Sequence, residues 1–566
     1  MLFHHAVITP GRRSAVLHTA KWTWVLLSAL ALVIALALVL LPQSPLARVE
    51  EAGRYTEGLA GAPQHLNPLL AQYNSTDRDI CALLFEGLTA FDEAGRVVPR
   101  LAERWEIAPD GLTYTFFLRK GVYWHDGAPF TADDVVFTAG VMADPDFQAL
   151  DPSGLFDLWS SVKAEKLDDY TVRFTLSEPF APFLDYSTIG ILPAHLLKQT
   201  PVSDLPKAAF NSQPVGTGPF MTDSVSAKEV RLKANPAYYG ERPRLQGVTF
   251  RFYPDAESIW TAYQKGQVNG LGQVPPAALP RIQSTPSLRL YSARLAQVTM
   301  VLLNLQDPDL PFFAEVPVRQ ALMWGLDRQG LIDRVLDGQG IVAHSIIFPE
   351  SWAYNPSAPA YTFDPAKAAR LLEDAGWKDT DGDGVREKEG RKLSFTLLTS
   401  DDPVWQAVAD ELSRQWRAIG AEVTPETVGF YELVGRYLYP RRFQAALVSI
   451  ELAGDPDPYP LWHSTQAAEK GQNWAGFANR RADEIMEEAR RTVDQARRAA
   501  LYAEFQTIFA EQVPAVLLYY PVYNYAVDQR LKNVQIGPLM SPADRFRTIS
   551  QWYIEIRRPL LSFGRP

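Results

Sequence analysis

One stretch of this 566-residue chain constrains the fold before any other pattern. Residues 22–41, from Trp22 to Leu41, are twenty residues long and contain no charged side chain. In a helix, twenty residues extend about 30 Å, which is the thickness of the hydrocarbon core of a membrane. Trp22 and Trp24 lie at one end of the run, where aromatic side chains favour the membrane interface. The run therefore predicts a transmembrane anchor.

The flanking charges predict the orientation of this anchor. Arg12, Arg13 and Lys21 precede it and the first acid is Glu50, so we expect residues 1–21 to be a cytoplasmic basic leader. A cleaved signal peptide is the main alternative, although its apolar region is usually about 7–15 residues long, and a buried core helix is another. No cysteine follows the run, which excludes a lipid anchor, and residues 42–53 are predicted to be a short tether.

The remainder of the chain has an acidic, globular composition. Residues 1–49 contain four bases, so the rest has 51 Lys and Arg against 65 Asp and Glu. This balance argues against a nucleic-acid partner, which would require a phosphate-neutralising surface. The content of 47% hydrophobic residues excludes overall disorder, and Cys81 has no second cysteine with which to form a disulfide.

Strand and helix patterns alternate along this acidic part. Apolar residues at every second position predict strands at 170–176 and 248–252. Capping residues and apolar stripes predict helices from Asp364-Pro365 to Gly376 and from Asp402-Pro403 to Gly420. A third helix is predicted near 495–512, before a strand at 513–520. The class is mixed, either α/β or α+β.

Residues 110–137 contain a more specific order of residues. The pattern predicts a turn, a strand, a glycine turn, a second aromatic strand and a helix capped by Thr131, with Asp134 three residues later. This segment closely resembles the most recognisable stretch of the family 5 extracellular solute-binding proteins, the peptide-, nickel- and related-solute receptors of ABC importers. Five further segments resemble the family in the same order: 214–220, 235–239, 304–328, 364–377 and 455–459.

The resemblance implies an α/β fold with two lobes, a periplasmic-binding-protein-like clamp of class II, cluster C type, with an extra subdomain and one preceding transmembrane helix. Lobe I is expected at 54–296 plus 522–566, with the subdomain at about 80–213, and lobe II at 297–521. The two chain crossings of the hinge are expected near 294–304 and 519–525.

The same resemblance implies a receptor without enzymatic activity or cofactor. It would capture a peptide or peptide-like solute outside the cytoplasm, in the periplasm or at the cell surface, and deliver it to the transmembrane subunits of an ABC permease. We expect a monomer held at the membrane by its N-terminal helix. An oligosaccharide, a metal chelate or an opine remains an alternative solute. An exported hydrolase is disfavoured because the sequence lacks Gly-x-Ser-x-Gly and His-Glu-x-x-His motifs, and Cys81 is predicted to be buried in a helix.

The candidate binding site lies in residues 449–464. In peptide-binding members an aspartate of the corresponding loop pairs with the α-ammonium of the peptide, and the resemblance assigns this role to Asp455, with Asp457 as the second choice. A tryptophan often precedes this aspartate in the family, whereas here Glu451 and Leu452 occupy the region. The alternative is that the two aspartates only cap a turn before prolines.

Six other residues are predicted ligand contacts. The two tryptophans would supply apolar walls and the others polar contacts, although large rings are more often part of a core. They are Trp462, Trp474, Asn473, Tyr73, Asn74 and Thr217.

A loop at 379–390 resembles a calcium loop only in part. Asp379, Asp381 and Asp383 occupy positions 1, 3 and 5, but position 12 is Gly390, and Glu389 is one residue short. A plain surface turn and a structural calcium site are both open at this point.

Overall fold

The structure is a computed structural model that describes residues 47–51, 53–92, 94–151, 154–452, 454–468 and 471–559. The predicted leader and the apolar run at 22–41 lie outside these residues. Within the described ranges, no helix is both long enough and apolar enough to cross a membrane. The chain divides into two units. In the smaller unit, residues 47–51 pair antiparallel with residues 555–559.

Residues 53–554 contain the main fold, in which strands and helices alternate. The strands of two residues or more are Arg54–Ala60, Thr89–Phe91, Val97–Pro99, Ala102–Ile107, Thr113–Leu118, Lys163–Asp168, Thr171–Thr175, Phe220–Val225, Glu229–Ala234, Gly247–Tyr253, Gly270–Leu271, Leu288–Arg294, Gln297–Leu303, Gly340–Val342, Glu387–Lys388, Arg391–Lys392, Ser394–Ser400, Glu422–Val428, Ala445–Glu451, Ala515–Asp528 and Leu531–Lys532. The strand Tyr553–Pro559 follows them.

The α-helices are Ser75–Leu84, Ala132–Met142, Leu155–Trp159, Phe183–Tyr186, Ala194–Leu197, Ala256–Gln264, Leu279–Gln283, Val316–Trp324, Arg328–Val335, Pro365–Asp374, Pro403–Arg417, Phe430–Glu432, Tyr459–Trp462, Arg480–Arg491 and Gln495–Gln512. The predicted caps of two helices are confirmed: the side chains of Asp364 and Asp402 accept hydrogen bonds from the first-turn backbone. The helix predicted near 495–512 is also confirmed.

A single long strand, Ala515–Asp528, joins the two halves of a twelve-stranded sheet. We call it the crossing strand. Its first part pairs antiparallel with Gln297–Leu303, and its second part pairs antiparallel with Leu288–Arg294. The partner changes near Pro521, which has no N–H to donate to the ladder. The predicted strand at 513–520 is therefore only the first part of a longer element.

Separate buried cores lie on either side of this change of partner. One core contains residues from 55 to 295 together with residues 523 to 552. Two others are built from residues between 296 and 520. The C-terminal segment thus packs with the first half of the chain, because the crossing strand returns the chain to the sheet of Arg54–Ala60.

The first core includes a four-stranded antiparallel sheet in the order Ala102–Ile107, Thr113–Leu118, Thr171–Thr175 and Lys163–Asp168. The alternation predicted around residue 173 is confirmed, since Val172 and Phe174 are both buried. The helix capping box of Thr131 and Asp134 is confirmed as well. The prediction of a second aromatic strand in residues 110–137 is wrong. The residues around Tyr123 form only an isolated bridge, between Tyr123 and Pro129.

A buried ion cluster links distant parts of the first core. The Arg545 guanidinium is fully buried and donates to both carboxylate oxygens of Asp79, at 2.7 and 2.6 Å, and to Oε1 of Glu57. Oε2 of Glu57 accepts hydrogen bonds from the hydroxyls of Tyr55 and Tyr525. Burial raises the pKa of Glu57, and the nearby arginine opposes that rise. The cluster connects Arg54–Ala60, Ser75–Leu84, the crossing strand and the C-terminal segment.

We expect Arg545→Met to lower the free energy of unfolding by about 3–5 kcal/mol, because it leaves Glu57 and Asp79 buried without their cation. Arg480→Met is the control, since Arg480 forms an exposed pair with Glu484 and its removal should cost less than about 1 kcal/mol. Urea unfolding of both variants at pH 7 measures the difference. Equal, small losses would show that the cluster contributes no net stability.

Candidate functional site

A cavity of about 210 Å³ lies between segments from the two sides of the crossing strand's change of partner. Ala94, Gly95 and Met540 line it from chain segments that precede residue 296 or follow residue 522. The lining from the other side consists of Val298, Met300, 346–348, Ser351, 450–452, 454–458, 460–462 and Gln472. Segments of both halves of the chain therefore meet around one space, an arrangement typical of ligand sites between domains.

Asp455 lines this cavity but is already paired. Only 8% of the residue is exposed, and its two carboxylate oxygens accept hydrogen bonds from Nη1 and Nη2 of Arg498 at 2.6 and 2.5 Å. The guanidinium also contacts the hydroxyl of Tyr502 at 2.9 Å. Bidentate pairing of this kind satisfies the carboxylate and fixes its orientation. The predicted contact to a ligand ammonium would have to compete with Arg498.

Asp457 is held in a similar way. Its Oδ2 accepts from Nε of Arg490 at 2.7 Å, and its Oδ1 accepts from the backbone N–H of Tyr459 at 3.1 Å. The Arg490 guanidinium lies 3.8 Å from the centroid of the Tyr459 ring. Both predicted aspartates therefore line the cavity, and both also organise the loop before the helix Tyr459–Trp462.

Glu451 is the third carboxylate of the lining and the one that the residue pattern did not single out as a ligand contact. It ends the strand Ala445–Glu451, and 52% of its side chain is exposed. Its polar neighbours are Arg78, at 3.2 Å, and Gln297, at 3.4 Å. Such an exposed pair is weak, so this carboxylate is more available to a ligand than the other two. The sequence did contain a signal for Glu451: it lies in the region where the family often has a tryptophan.

The three predicted contacts after the loop differ in their roles. Trp462 lines the cavity but is 1% exposed and packs edge-to-face on Phe509, with the ring centroids 4.7 Å apart. Asn473 is fully buried and its amide bonds the backbone of His463 and Phe477. Trp474 packs on Tyr439 and is absent from the described lining. Only Trp462 of this group reaches the cavity wall.

The predicted contacts of the N-terminal half do not join this cavity in the described part of the chain. Asn74 caps the helix Ser75–Leu84 by accepting hydrogen bonds from the backbone N–H groups of Thr76 and Asp77. Thr217 is buried and donates to the Glu86 carboxylate at 3.1 Å. The side chain of Tyr73 lies outside the described residues. Asn74 and Thr217 thus have structural partners of their own.

A direct contact joins the helix Phe183–Tyr186 to the loop of Asp455. The Asp185 carboxylate accepts a hydrogen bond from the backbone N–H of Asp455, and the N–H of Ala181 donates to the carbonyl of Arg490 at 2.7 Å. Burial raises the pKa of Asp185 to about 8, and the Asp455 carboxylate adds to this rise. Asp185 therefore holds the proton at neutral pH, whereas Arg498 opposes the rise that burial causes in the pKa of Asp455.

The acidic loop at 379–390 has a different set of neighbours from the one predicted. Carboxylate oxygens of Asp379 and Asp381 lie within 4.8 Å of one of Glu387, rather than of Glu389. The Lys392 ammonium bonds Asp383 and lies 3.7 Å from Asp381. Asp379 accepts hydrogen bonds from the loop backbone at Gly382 and Gly384. Lys392 and the backbone N–H groups therefore already bind several of the carboxylate oxygens that a calcium ion would need as ligands.

The raised pKa of Asp185 predicts a pH dependence of stability. An unfolded aspartate titrates near about 3.9, so between that pH and about 8 the folded protein binds a proton that the unfolded chain has released. The free energy of unfolding should therefore fall as pH rises through this window and level off on either side. Asp185→Asn keeps an oxygen to accept from Asp455 but does not titrate.

We expect Asp185→Asn to be more stable than the unmodified protein at pH 8 by about 1–3 kcal/mol and to lose most of the slope. Urea unfolding at pH 5, 6, 7 and 8 measures this. Asp223→Asn, at an exposed position, is the control and should follow the original curve. A slope unchanged by Asp185→Asn would contradict the assignment.

The fold and the cavity can be compared with known proteins. The family described as bacterial extracellular solute-binding proteins, family 5 Middle, matches residues 96–472. The oligopeptide-binding protein AppA of Bacillus subtilis is 32% identical over 497 residues, which cover 86% of this chain and 90% of that protein. The structure of AppA in complex with a nonapeptide has 31% identity and a TM-score of 0.72, covering 90% of this chain and 100% of that chain.

A second solved structure is NikZ from Campylobacter jejuni in complex with Ni(L-His). Its identity is 26% and its TM-score 0.73, and the match covers 88% of this chain and 99% of that chain. These similarities extend over the whole two-lobed α/β fold of periplasmic binding proteins. They confirm the resemblance found in the sequence: the chain belongs to the family 5 bacterial extracellular solute-binding proteins.

Proposed function

We propose that this chain is the extracytoplasmic receptor of an ABC importer that binds a peptide or peptide-like solute between two lobes and delivers it to the permease. One observation carries the proposal: a cavity with three carboxylates in its lining lies between segments of both halves of the chain. The AppA structure, with a nonapeptide bound, supports a peptide as the solute. The Ni(L-His) complex of NikZ supports the alternative of a metal chelate.

We assign lobe I to residues 54–296 plus 522–566, with the subdomain at about 80–213, and lobe II to 297–521. The separate cores on either side of the crossing strand's change of partner support this division. The hinge then consists of Leu295 and Ala296 on one crossing and Tyr520 and Pro521 on the other. Lobe closure around the solute would bend these short segments and leave the cores unchanged.

Glu451, rather than Asp455, is the residue to which we assign the ammonium group of the solute. Arg498 already occupies both oxygens of Asp455, whereas the Glu451 carboxylate is half exposed at the cavity. The two candidates can be separated by comparing free and N-acetylated ligands. Only the carboxylate that binds the ammonium group should make the free amine bind more tightly than its acetylated form. Asp457, paired with Arg490, takes the same structural role as Asp455 in this proposal.

The N-terminal segment completes the proposed assembly. Residues 22–41 would remain uncleaved as a single membrane anchor, with residues 1–21 in the cytoplasm and the binding lobes outside. The receptor would act as a monomer that docks on the transmembrane subunits of its permease, without catalysing a reaction. Intact mass spectrometry of the purified protein reports whether residues 22–41 are retained, and in native conditions it reports the mass of any co-purified solute.

Isothermal titration calorimetry with di- and tripeptides tests the site. We expect Glu451→Gln to weaken the binding of peptides with a free N-terminus by about tenfold, the effect of losing one charged hydrogen bond. N-acetylated peptides should bind the variant and the unmodified protein equally. Glu426→Gln, at an exposed carboxylate outside the described cavity lining, is the matched control.

Asp455→Asn provides the other arm of this test. It should lower the stability of the protein without discriminating between free and acetylated peptides. If the preference for free over acetylated peptides is lost in Asp455→Asn and kept in Glu451→Gln, then Asp455 is the residue that binds the ammonium group. Absence of binding to every peptide, with a chelate or saccharide found in the native mass spectrum, would overturn the peptide assignment.

We propose further that the loop at 379–390 is a plain turn without calcium, since Lys392 already supplies a cation to Asp383 and Asp381. The salt bridge to Lys392 lowers the pKa of Asp383, so the pair persists at neutral pH. Inductively coupled plasma mass spectrometry of protein purified without chelator should find less than stoichiometric calcium. One calcium per chain, lost in Asp379→Asn, would establish a metal site instead.

A further inference from the structure

The walls of the cavity are mainly apolar, and they come from both lobes. Val298, Met300, Ile347, Phe348 and Leu452 line it from lobe II, and Met540 from lobe I. Side chains of this kind bind apolar groups by removing them from water. The wall is therefore complementary to an apolar substituent of the ligand.

The size of the space limits this substituent. The cavity of about 210 Å³ is smaller than the roughly 300–1,000 Å³ of sites that enclose a drug-sized ligand. An apolar cavity of about 150 Å³ in another protein holds one benzene molecule. The space thus fits a single aromatic or large branched side chain, and the rest of the solute has to extend outside it.

The charges around the cavity determine what accompanies this group. Glu451, Asp455 and Asp457 are the charged residues of the described lining, which contains no lysine or arginine. Two of these carboxylates are paired with Arg498 and Arg490. The remaining one, Glu451, is half exposed and has Arg78 as its partner at 3.2 Å, outside the described lining. Three carboxylates and no basic side chain of the described residues face the space, so it favours a cation over an anion.

From these three observations we propose that the cavity is a selective subsite for a bulky apolar group adjacent to a cationic amine. This inference rests on the proposed function for its location between the lobes and deepens it: the favoured solutes are cationic at one end and carry an aromatic or branched aliphatic group next to the charge. Peptides with a large apolar first residue belong to this class, and solutes that are anionic at this end do not.

The two methionines of the wall set the breadth of the selection. Methionine has a flexible, polarisable side chain that adapts to groups of different shape. Met300 and Met540 lie on the lobe II and lobe I sides of the cavity, respectively. The subsite should therefore select for size and apolarity more than for one particular side chain.

Ala94 offers a way to fill the subsite with little effect on the cores. It lines the cavity from a half-exposed turn, and the bond from its backbone N–H to the Asp92 carboxylate, at 2.8 Å, does not depend on its side chain. Ala94→Trp should occupy the space meant for the apolar group. Ala94→Ser is the matched control, and Met540→Ala enlarges the cavity from the same side.

The test uses full-length protein and two sets of probes. The first set is the tripeptides Phe-Ala-Ala, Ala-Ala-Ala and Ala-Ala-Phe, measured by calorimetry. The second is 2-phenylethylamine and 3-phenylpropionate, which have the same ring and opposite charges, measured by saturation-transfer NMR. We expect Phe-Ala-Ala to bind at least tenfold tighter than the other two peptides, and phenylethylamine but not phenylpropionate to show saturation transfer.

In Ala94→Trp, the preference for Phe-Ala-Ala and the signal of phenylethylamine should both disappear, while Ala94→Ser keeps both. Met540→Ala should shift the preference towards Trp-Ala-Ala, and this result decides the question if Ala94→Trp does not fold. Equal affinities for the three peptides, or equal signals from the two ring probes, would overturn the subsite. Binding of phenylethylamine without binding of any peptide would overturn the proposed function and leave the subsite standing.

Discussion

The antiparallel ladder of the crossing strand is the interaction on which the rest of the fold depends. Fourteen residues of one strand pair first with Gln297–Leu303 and then with Leu288–Arg294. Because one strand runs through the change of partner, the two halves of the sheet are connected by a strand that pairs in both of them. The cavity lies beside this connection, so a small change in the angle between the halves alters the distance between its walls.

The acidic residues near the cavity divide into two groups with different physical roles. Asp455 and Asp457 are desolvated and each has an arginine partner, which makes the loop before Tyr459–Trp462 a rigid part of the wall. Glu451 is solvated and only weakly paired. Because the geometry of the two arginine–aspartate pairs is already established, ligand binding requires no further ordering of these side chains. The solvated carboxylate of Glu451 can instead reorient towards a charged group of the ligand.

The sequence was most informative where the signal is local. The helices after Asp364 and Asp402 and the capping box at Thr131 were predictable because the residues that make each contact are within a few positions of each other. The second aromatic strand was predicted wrongly. The residues near Tyr123 alternate as a strand would, but in the structure they form a tight turn with one bridge, from Tyr123 to Pro129.

Contacts between distant residues could not be predicted in this way. Arg498 is 43 positions from Asp455 and Arg545 is 488 from Glu57, and no periodic pattern connects such pairs. The same limit explains why the role of Asn473 was not predicted. Its polar side chain suggested a ligand contact, whereas its actual partners are the backbone groups of a loop. The family order of motifs indicated where the site lies, but only the packed structure separates a wall residue such as Trp462 from the residue that supports it.

The return of the chain to its first core has a consequence for biogenesis. Glu57 and Asp79 are made early and their cation, Arg545, is made almost last, so the N-terminal lobe has no complete core until nearly the whole chain has left the ribosome. A contact of such long sequence separation also slows folding, because the loop must close before the contact forms. The two carboxylates of the first half therefore remain without their buried cation until the last residues of the chain are available.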